Sequence, residues 1–78
     1  MDVQAKELAE IFRTNMRARR QALGMTQVRL AKVMGLPQSY ISELETGDTV
    51  PNLLSLAGLA EALDTTPSML ISGAAVLV

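Results

Sequence analysis

The stretch that most constrains the fold runs from Met25 to Thr46, where two short amphipathic segments flank a glycine and a proline. Thr26 precedes the first segment, and its hydroxyl is suited to capping a helix N-terminus. Gly35 ends that segment because glycine adopts a positive φ without a Cβ clash. Pro37 suits the first turn of the next helix, where a missing N–H has no consequence. The sequence therefore predicts two short helices joined by a tight turn.

The second of these helices, from Gln38 to Thr46, has a narrow apolar stripe formed by Ile41 and Leu44. Such a stripe can hold the helix against a core along one edge only. The polar residues must then face outward, and they are Gln38, Ser39, Ser42 and Glu43. A short helix that is held along one edge and presents a polar edge has the geometry of a helix-turn-helix DNA reader.

Residues 23–71 resemble the lambda-repressor-like (Cro/cI-type, XRE) helix-turn-helix family. The matching motifs include Leu-Gly-Met-Thr-Gln at 23–27, Ser-Tyr-Ile-Ser at 39–42 and Pro-Asn-Leu at 51–53, in one unbroken register. The resemblance implies an all-α fold, a compact five-helix lambda-repressor-like bundle with the helix-turn-helix at helices 2 and 3. With 78 residues, the whole chain, 1–78, is expected to form a single domain.

The first helix is predicted over residues 4–23 and is closed by Gly24. Its apolar face is expected to consist of Leu8, Ile11, Phe12, Met16 and Leu23. In the resembling family the first helix starts near Ile11, so residues 1–10 form an N-terminal helical extension. This extension is expected either to pack on the body of the domain or to frame a dimer contact.

The C-terminal part predicts a fourth helix over residues 53–63 and a short fifth helix that opens at Pro67. The expected core face of the fourth helix is Leu53, Leu56, Leu59, Ala60 and Leu63. Residues 72–78 form an apolar tail, which suits either a subunit contact or the stump of a longer protein.

Arg20 and Glu45 are expected to form a structural ion pair. Glu45 follows the core residue Leu44, so its carboxylate would be partly buried and would need a cation. The resemblance independently pairs an arginine in the position of Arg20 with a glutamate in the position of Glu45. Bidentate pairing would fix helix geometry more than it would add net stability.

Base contacts are expected from the exposed edge of the third helix, and Gln38 is the strongest candidate. Its amide can donate and accept together, which matches the N6 and N7 atoms of adenine. Ser39, Ser42 and Glu43 are the other candidates, and Glu43 could equally be a solvated charge. Because this helix has no Lys or Arg, bidentate guanine recognition is excluded. Specificity would then come from Gln38, Ser39 and DNA shape, unless the domain now binds protein.

Phosphate contacts are expected from residues around the helix-turn-helix. Gln27 lies at a helix N-terminus, which favours anions, and the resemblance implies that it contacts phosphate and braces Gln38. The further candidates are Arg29, Arg17, Thr49, Tyr40 and Asn52. For Tyr40 a packing role is an equal alternative, and capping of the fourth helix is favoured for Asn52. Asp48 stands where the resembling family commonly has a basic residue, and it would repel phosphate.

The net charge of −1 conceals an asymmetry. All seven basic and three of the eight acidic residues lie within residues 1–32, so this part carries +4 and the remainder −5. The basic footprint of a nucleic-acid binder can therefore come only from the first two helices. The alternative for Arg17, Arg19 and Arg20 is that they form a solvated helix face with no role in binding.

Several classes of protein are disfavoured by composition. The chain has no His and no Cys, and therefore no imidazole base, thiolate, zinc-ligand set or disulfide. No enzyme activity, catalytic residue, metal or cofactor is expected. Neither an export signal nor a membrane-spanning run is recognisable, so a cytoplasmic protein is expected.

Two candidate functions are compatible with these sequence features. The leading interpretation is a sequence-specific transcriptional regulator that binds double-stranded DNA as a homodimer, on a palindromic operator, with the subunits joined through the C-terminal region. Phage repressors and restriction-modification controllers are the expected models. The alternative is a protein-interaction module, antitoxin-like, that uses the same fold with little DNA binding.

Overall fold

The computed structural model describes residues 2–73, with side chains from residue 5 onward. It contains five helices: α1 (Asp2–Ala22), α2 (Gln27–Met34), α3 (Gln38–Thr46), α4 (Leu53–Ala62) and α5 (Pro67–Leu70). The predicted all-α fold with five helices is confirmed. Over residues 2–73, none of the helices is long and apolar enough to cross a membrane. Residues 74–78, the greater part of the expected apolar tail, lie outside the described residues.

Local capping explains where α2 and α4 begin and where α2 ends. The Thr26 hydroxyl accepts a hydrogen bond from the Arg29 N–H at 3.0 Å, and the Asn52 side chain accepts one from the Ser55 N–H at 2.8 Å. Gly35 has a φ of 68° and closes α2 in the left-handed region. Pro37 occupies the capping position before α3 rather than a place within its first turn. The reason is its ψ of 144°, which is extended and not helical.

One hydrophobic core joins the helices. Helix α1 packs on α3 and α5, whereas α2 packs on α3 and α4. The buried hydrophobic residues are Phe12, Met16, Leu30, Ala31, Ile41, Leu44, Leu59, Ala60, Leu63 and Leu70. This arrangement leaves one edge of α3 facing solvent while its two apolar side chains fix its orientation.

Three apolar residues that were expected in the core, Leu8, Leu23 and Leu53, are not there. Leu23 is 40% exposed, because α1 ends at Ala22 and the chain turns away from the core. Leu53 is 85% exposed at the first position of α4. The expected extension, by contrast, continues α1 without a break from Asp2. Leu8, on this extension, is 43% exposed.

Polar contacts from α1 tie down the C-terminal helices. The Asn15 side-chain amide donates to the carbonyls of Ser72 at 2.6 Å and Leu70 at 3.0 Å. The Arg19 guanidinium donates to the carbonyls of Leu63 and Asp64, each at 2.8 Å. These bonds satisfy carbonyls at helix ends, which lack partners within their own helix.

Candidate nucleic-acid interface

The exposed edge of α3 presents Gln38, Ser39 and Glu43 to solvent, with Ser42 half-buried beside them. Ile41 and Leu44 are 0% and 1% exposed on the opposite edge. Side chains three and four residues apart lie on one helix face, so the two buried residues decide which polar residues point outward. All four residues expected to contact bases are thus brought to one accessible strip.

A buried carboxylate lies directly behind this strip. Glu45 is 1% exposed, and Arg20 meets it in a bidentate arrangement. The Arg20 Nε donates to one carboxylate oxygen at 2.6 Å and a terminal nitrogen donates to the other at 2.9 Å. Arg20 also donates to the Met25 carbonyl at 2.7 Å. The arginine thereby connects α1, the turn before α2, and α3.

Glu45 is held in its ionised form. Burial acts to raise the pKa of this carboxyl, but hydrogen bonds from Arg20 and Gln27 and the charges of Arg20 and Arg17 outweigh it. The pKa of Glu45 therefore lies below its ordinary value of 4.5. The Glu45 hydrogen bond raises the pKa of Arg20, against a smaller lowering by desolvation. At neutral pH both groups are charged.

Gln27 links this ion pair to the exposed strip. Its Nε2 donates to Glu45 Oε1 at 3.1 Å, and its Oε1 accepts from Gln38 Nε2 at 3.2 Å. The contact between Gln27 and Gln38 has the form that the resemblance implied. The bond from Gln27 to Glu45 did not follow from the sequence. Together the three side chains form a continuous row from the buried carboxylate to the surface.

The other residues expected to contact phosphate differ in exposure and in what they contact. Arg29 is exposed on α2. Arg17 is about half exposed, and it donates to the Glu45 carbonyl at 3.0 Å with its Nε 3.6 Å from the carboxylate. Tyr40 is half-buried and packs against the core. A phosphate would therefore meet Arg29 directly but would have to share Arg17 with Glu45.

The loop after α3 carries the last two candidates, Thr49 and Asn52. Gly47 has a φ of 91°, a conformation that favours glycine, and the Arg13 guanidinium lies against it where a Cβ would stand. Thr49 is half-buried, and Asn52 is exposed while capping α4. Asp48 is exposed. The loop thus carries one acidic side chain, and Arg13 supplies the positive charge next to it.

Sequence reasoning missed the roles of Asn15 and Arg19 and the bond between Gln27 and Glu45. Asn15 is a polar residue one position before the buried Met16, which was a usable signal because such a residue lies at the rim of a packed face. Arg19 belonged to a run of arginines that were weighed only as a DNA footprint or a solvated surface. No pattern in the sequence distinguishes an arginine that binds a backbone carbonyl from one that contacts DNA or is simply solvated.

Comparisons with known proteins identify the class to which this architecture belongs. The helix-turn-helix family model matches residues 16–70, which is more than half of the chain. The chain belongs to this family, in its XRE-type branch, and members of the family are DNA-binding regulators rather than enzymes.

Particular relatives include a phage repressor and a bacterial control protein. The chain is 34% identical over 64 residues to repressor protein C2 of Salmonella phage P22; this covers 82% of the chain and 30% of the repressor. It is 31% identical over 71 residues to control protein C.SmaI of Serratia marcescens, covering 91% of the chain and 84% of that protein. The chain thus spans less than a third of the phage repressor but most of the control protein.

A solved structure shares the fold. The restriction-modification controller protein C.AhdI from Aeromonas hydrophila superposes with a TM-score of 0.75 at 35% sequence identity. The match covers 80% of the chain and 94% of the controller protein. The expected resemblance to the XRE-type helix-turn-helix family is therefore confirmed in both sequence and structure.

Proposed function

We propose that the protein is a sequence-specific DNA-binding transcriptional regulator that places α3 in the major groove. The observation that carries this proposal is the row of Glu45, Gln27 and Gln38, which holds a polar side chain at the start of the exposed edge of α3. In a helix-turn-helix, the N-terminal residues of the second helix are the ones that reach base edges. Gln38, with Ser39, Ser42 and Glu43 behind it, occupies that position.

Phosphate contacts in this proposal come from both sides of α3. Gln27 and Arg29 lie at the N-terminal end of α2, and Arg17, Tyr40, Thr49 and Asn52 lie along α1, α3 and the following loop. Arg29 and Arg17 are both exposed, but the Arg17 guanidinium already donates to the Glu45 carbonyl. Since α3 itself carries only acidic charges, Glu43 and Glu45, the backbone contacts must supply most of the affinity. Such affinity depends strongly on salt.

The regulator is proposed to act as a homodimer on a palindromic operator. A groove of about 330 Å³ lies between α1, the loop before α4 and Ile71, and its lining is apolar. Leu53 lies on its rim and is 85% exposed, and the adjacent Leu54 is 83% exposed. In a two-fold symmetric dimer, the protruding leucine pair of each copy can pack against the apolar groove of the other copy. The pair and the groove are then buried in one isologous contact. This contact would extend from the C-terminal region to the N-terminal extension.

A protein-interaction module is the second candidate. The same exposed pair, Leu53 and Leu54, and the absence of Lys and Arg from α3 favour it. In that case Leu53, Leu54 and the groove beside them bind a different protein, and α3 has no DNA partner. The two candidates differ in whether the chain by itself selects a DNA sequence.

The test is a binding-site selection from a random double-stranded DNA library, made with the wild type and with Gln38→Ala. The proposal expects the wild type to enrich a two-fold symmetric motif, and the variant to lose the preference at one base pair in each half. Equal recovery of all sequences by the wild type would contradict DNA recognition. A motif that is unchanged in Gln38→Ala would contradict only the assignment of Gln38.

A further inference from the structure

We infer that Glu45, which is buried and lies behind the exposed strip, is a positioning residue that sets which bases Gln38 selects. It does so by fixing, through Gln27, the direction in which the Gln38 amide points. The inference rests on the proposed function, because it concerns how the DNA-reading strip is specified. It assigns to the ion pair a part in recognition beyond holding the helices together.

The first step is the orientation of the Gln27 amide. An ionised carboxylate only accepts hydrogen bonds, so the group that faces it must donate. Glu45 is ionised and 1% exposed, and Gln27 lies 3.1 Å away. The Gln27 NH₂ group must therefore face Glu45, and its oxygen must point the other way. The reversed orientation would set the Gln27 oxygen against a buried negative charge.

The second step passes this orientation on to Gln38. Because the Gln27 oxygen points outward, only the Gln38 NH₂ group can bond to it, as it does at 3.2 Å. The Gln38 amide then keeps one free N–H on the side near Gln27 and a free oxygen on the far side. Donor and acceptor therefore occur in a fixed order along the edge presented to DNA.

The third step is the base that this order selects. Adenine offers N7 as an acceptor and N6 as a donor, and an amide with one free N–H and one free oxygen pairs with both. Guanine offers two acceptors, N7 and O6, so the amide oxygen would oppose O6. A fixed amide therefore favours adenine on one strand in one orientation, whereas a freely reversing amide accepts more edges.

The main experiment compares variants in base preference rather than in affinity. The base pair read by Gln38 is first defined as the position at which Gln38→Ala loses preference in the selection from random DNA. Dissociation constants are then measured on the selected duplex and on duplexes substituted at that base pair. Glu45→Gln removes the acceptor-only group, and Gln27→Met removes the link at nearly constant size. Asn15→Ala is the control, because it weakens packing away from the row.

A bidentate base contact discriminates by roughly 5- to 150-fold, and the wild type should fall in this range. In Glu45→Gln and Gln27→Met, discrimination at that base pair should drop to about threefold or less, while preferences at other positions and in Asn15→Ala stay unchanged. Unchanged discrimination in variants that still bind would overturn the inference and leave the proposed function intact. A wild type that enriches no motif would defeat both.

A second measurement needs no DNA and remains available if Glu45→Gln folds poorly. The side-chain amide signals of Gln27 and Gln38 can be followed by ¹⁵N-edited NMR in the free protein. Gln27→Met should shift the Gln38 amide signals and speed their exchange with water, and Glu45→Gln should do the same although it does not contact Gln38. Gln38 signals that are identical in all three proteins would show that no orientation is transmitted, which would overturn the inference.

Discussion

Removing the guanidinium of Arg20 should destabilise the protein strongly, because it leaves the Glu45 carboxylate buried and short of its main partner. Arg20→Met keeps most of the side-chain volume while deleting three hydrogen bonds, two to Glu45 at 2.6 and 2.9 Å and one to the Met25 carbonyl at 2.7 Å. Breaking one side of a buried pair costs about 3–5 kcal/mol. The lower end applies here, since Gln27 stays at 3.1 Å and the charge of Arg17 at 3.6 Å.

About 3 kcal/mol is a large part of the stability of a chain this size, which should total roughly 4–12 kcal/mol. The melting temperature should therefore fall by about 12–24 °C. Circular dichroism, recorded on heating and in urea, measures this loss. Replacing both partners, as in Arg20→Met with Glu45→Leu, should recover most of the loss because no unpaired charge remains. Arg29→Met, at an exposed position, is the matched control and should change stability by about 0.5 kcal/mol at most.

Two results would contradict this expectation: a free energy of unfolding of Arg20→Met within about 1 kcal/mol of the wild-type value, or a double variant no more stable than the single one. Either result would mean that Glu45 finds adequate solvation without the arginine.

Three other predictions concern stability. Because the folded pKa of Glu45 is lowered, its contribution is complete above its ordinary value of 4.5 and is lost as the pH falls through the lower folded value; in acid titrations of stability, the wild type should therefore lose more than Glu45→Gln does. Gly47→Ala should cost about 1–2 kcal/mol because its φ is 91°. Gly58→Ala, inside α4, should instead stabilise by about 0.5–1 kcal/mol, because the added methyl group would meet only the Met34 side chain, at an ordinary van der Waals distance of 3.6 Å. Urea midpoints that shift in the same direction in both variants would contradict this contrast. Asn15→Ala should cost about 1 kcal/mol, since two carbonyls lose their donor, and hydrogen exchange should rise in α5 first; unchanged exchange there would count against the anchoring role.

The helix-turn-helix was predictable because its signals are local. Thr26, Gly35 and Gly47 act within one turn of their own position, and the structure places them at helix ends as their chemistry requires. Ile41 and Leu44 fixed the orientation of α3 in the same way. The bounds of α3 and the start of α5 follow from such short-range rules.

The orientation of α4 was less predictable because its apolar residues lie almost all round. The segment 53–63 offers no polar face wide enough to indicate which side is exposed, and Leu53 consequently lies outside the core. The contacts within the candidate DNA-binding site were also only partly predictable from the sequence. That Gln27 meets Glu45 depends on how α1, α2 and α3 pack together, which neither helix propensity nor spacing encodes.

Whether the exposed edge of α3 recognises DNA can be measured by fluorescence anisotropy on duplex DNA from immediately upstream of the protein's own gene. The titration is made across a series of salt concentrations, with a scrambled duplex of equal composition as the control. We expect binding that is tighter on the upstream duplex and that weakens steeply with salt, with a slope of log affinity against log salt concentration of roughly −0.9 for each phosphate contacted. DNA recognition by α3 would be contradicted if binding were weak and equal on both duplexes, and equally weak on sequences recovered by selection. The exposed pair Leu53 and Leu54 would then be the place to seek a protein partner.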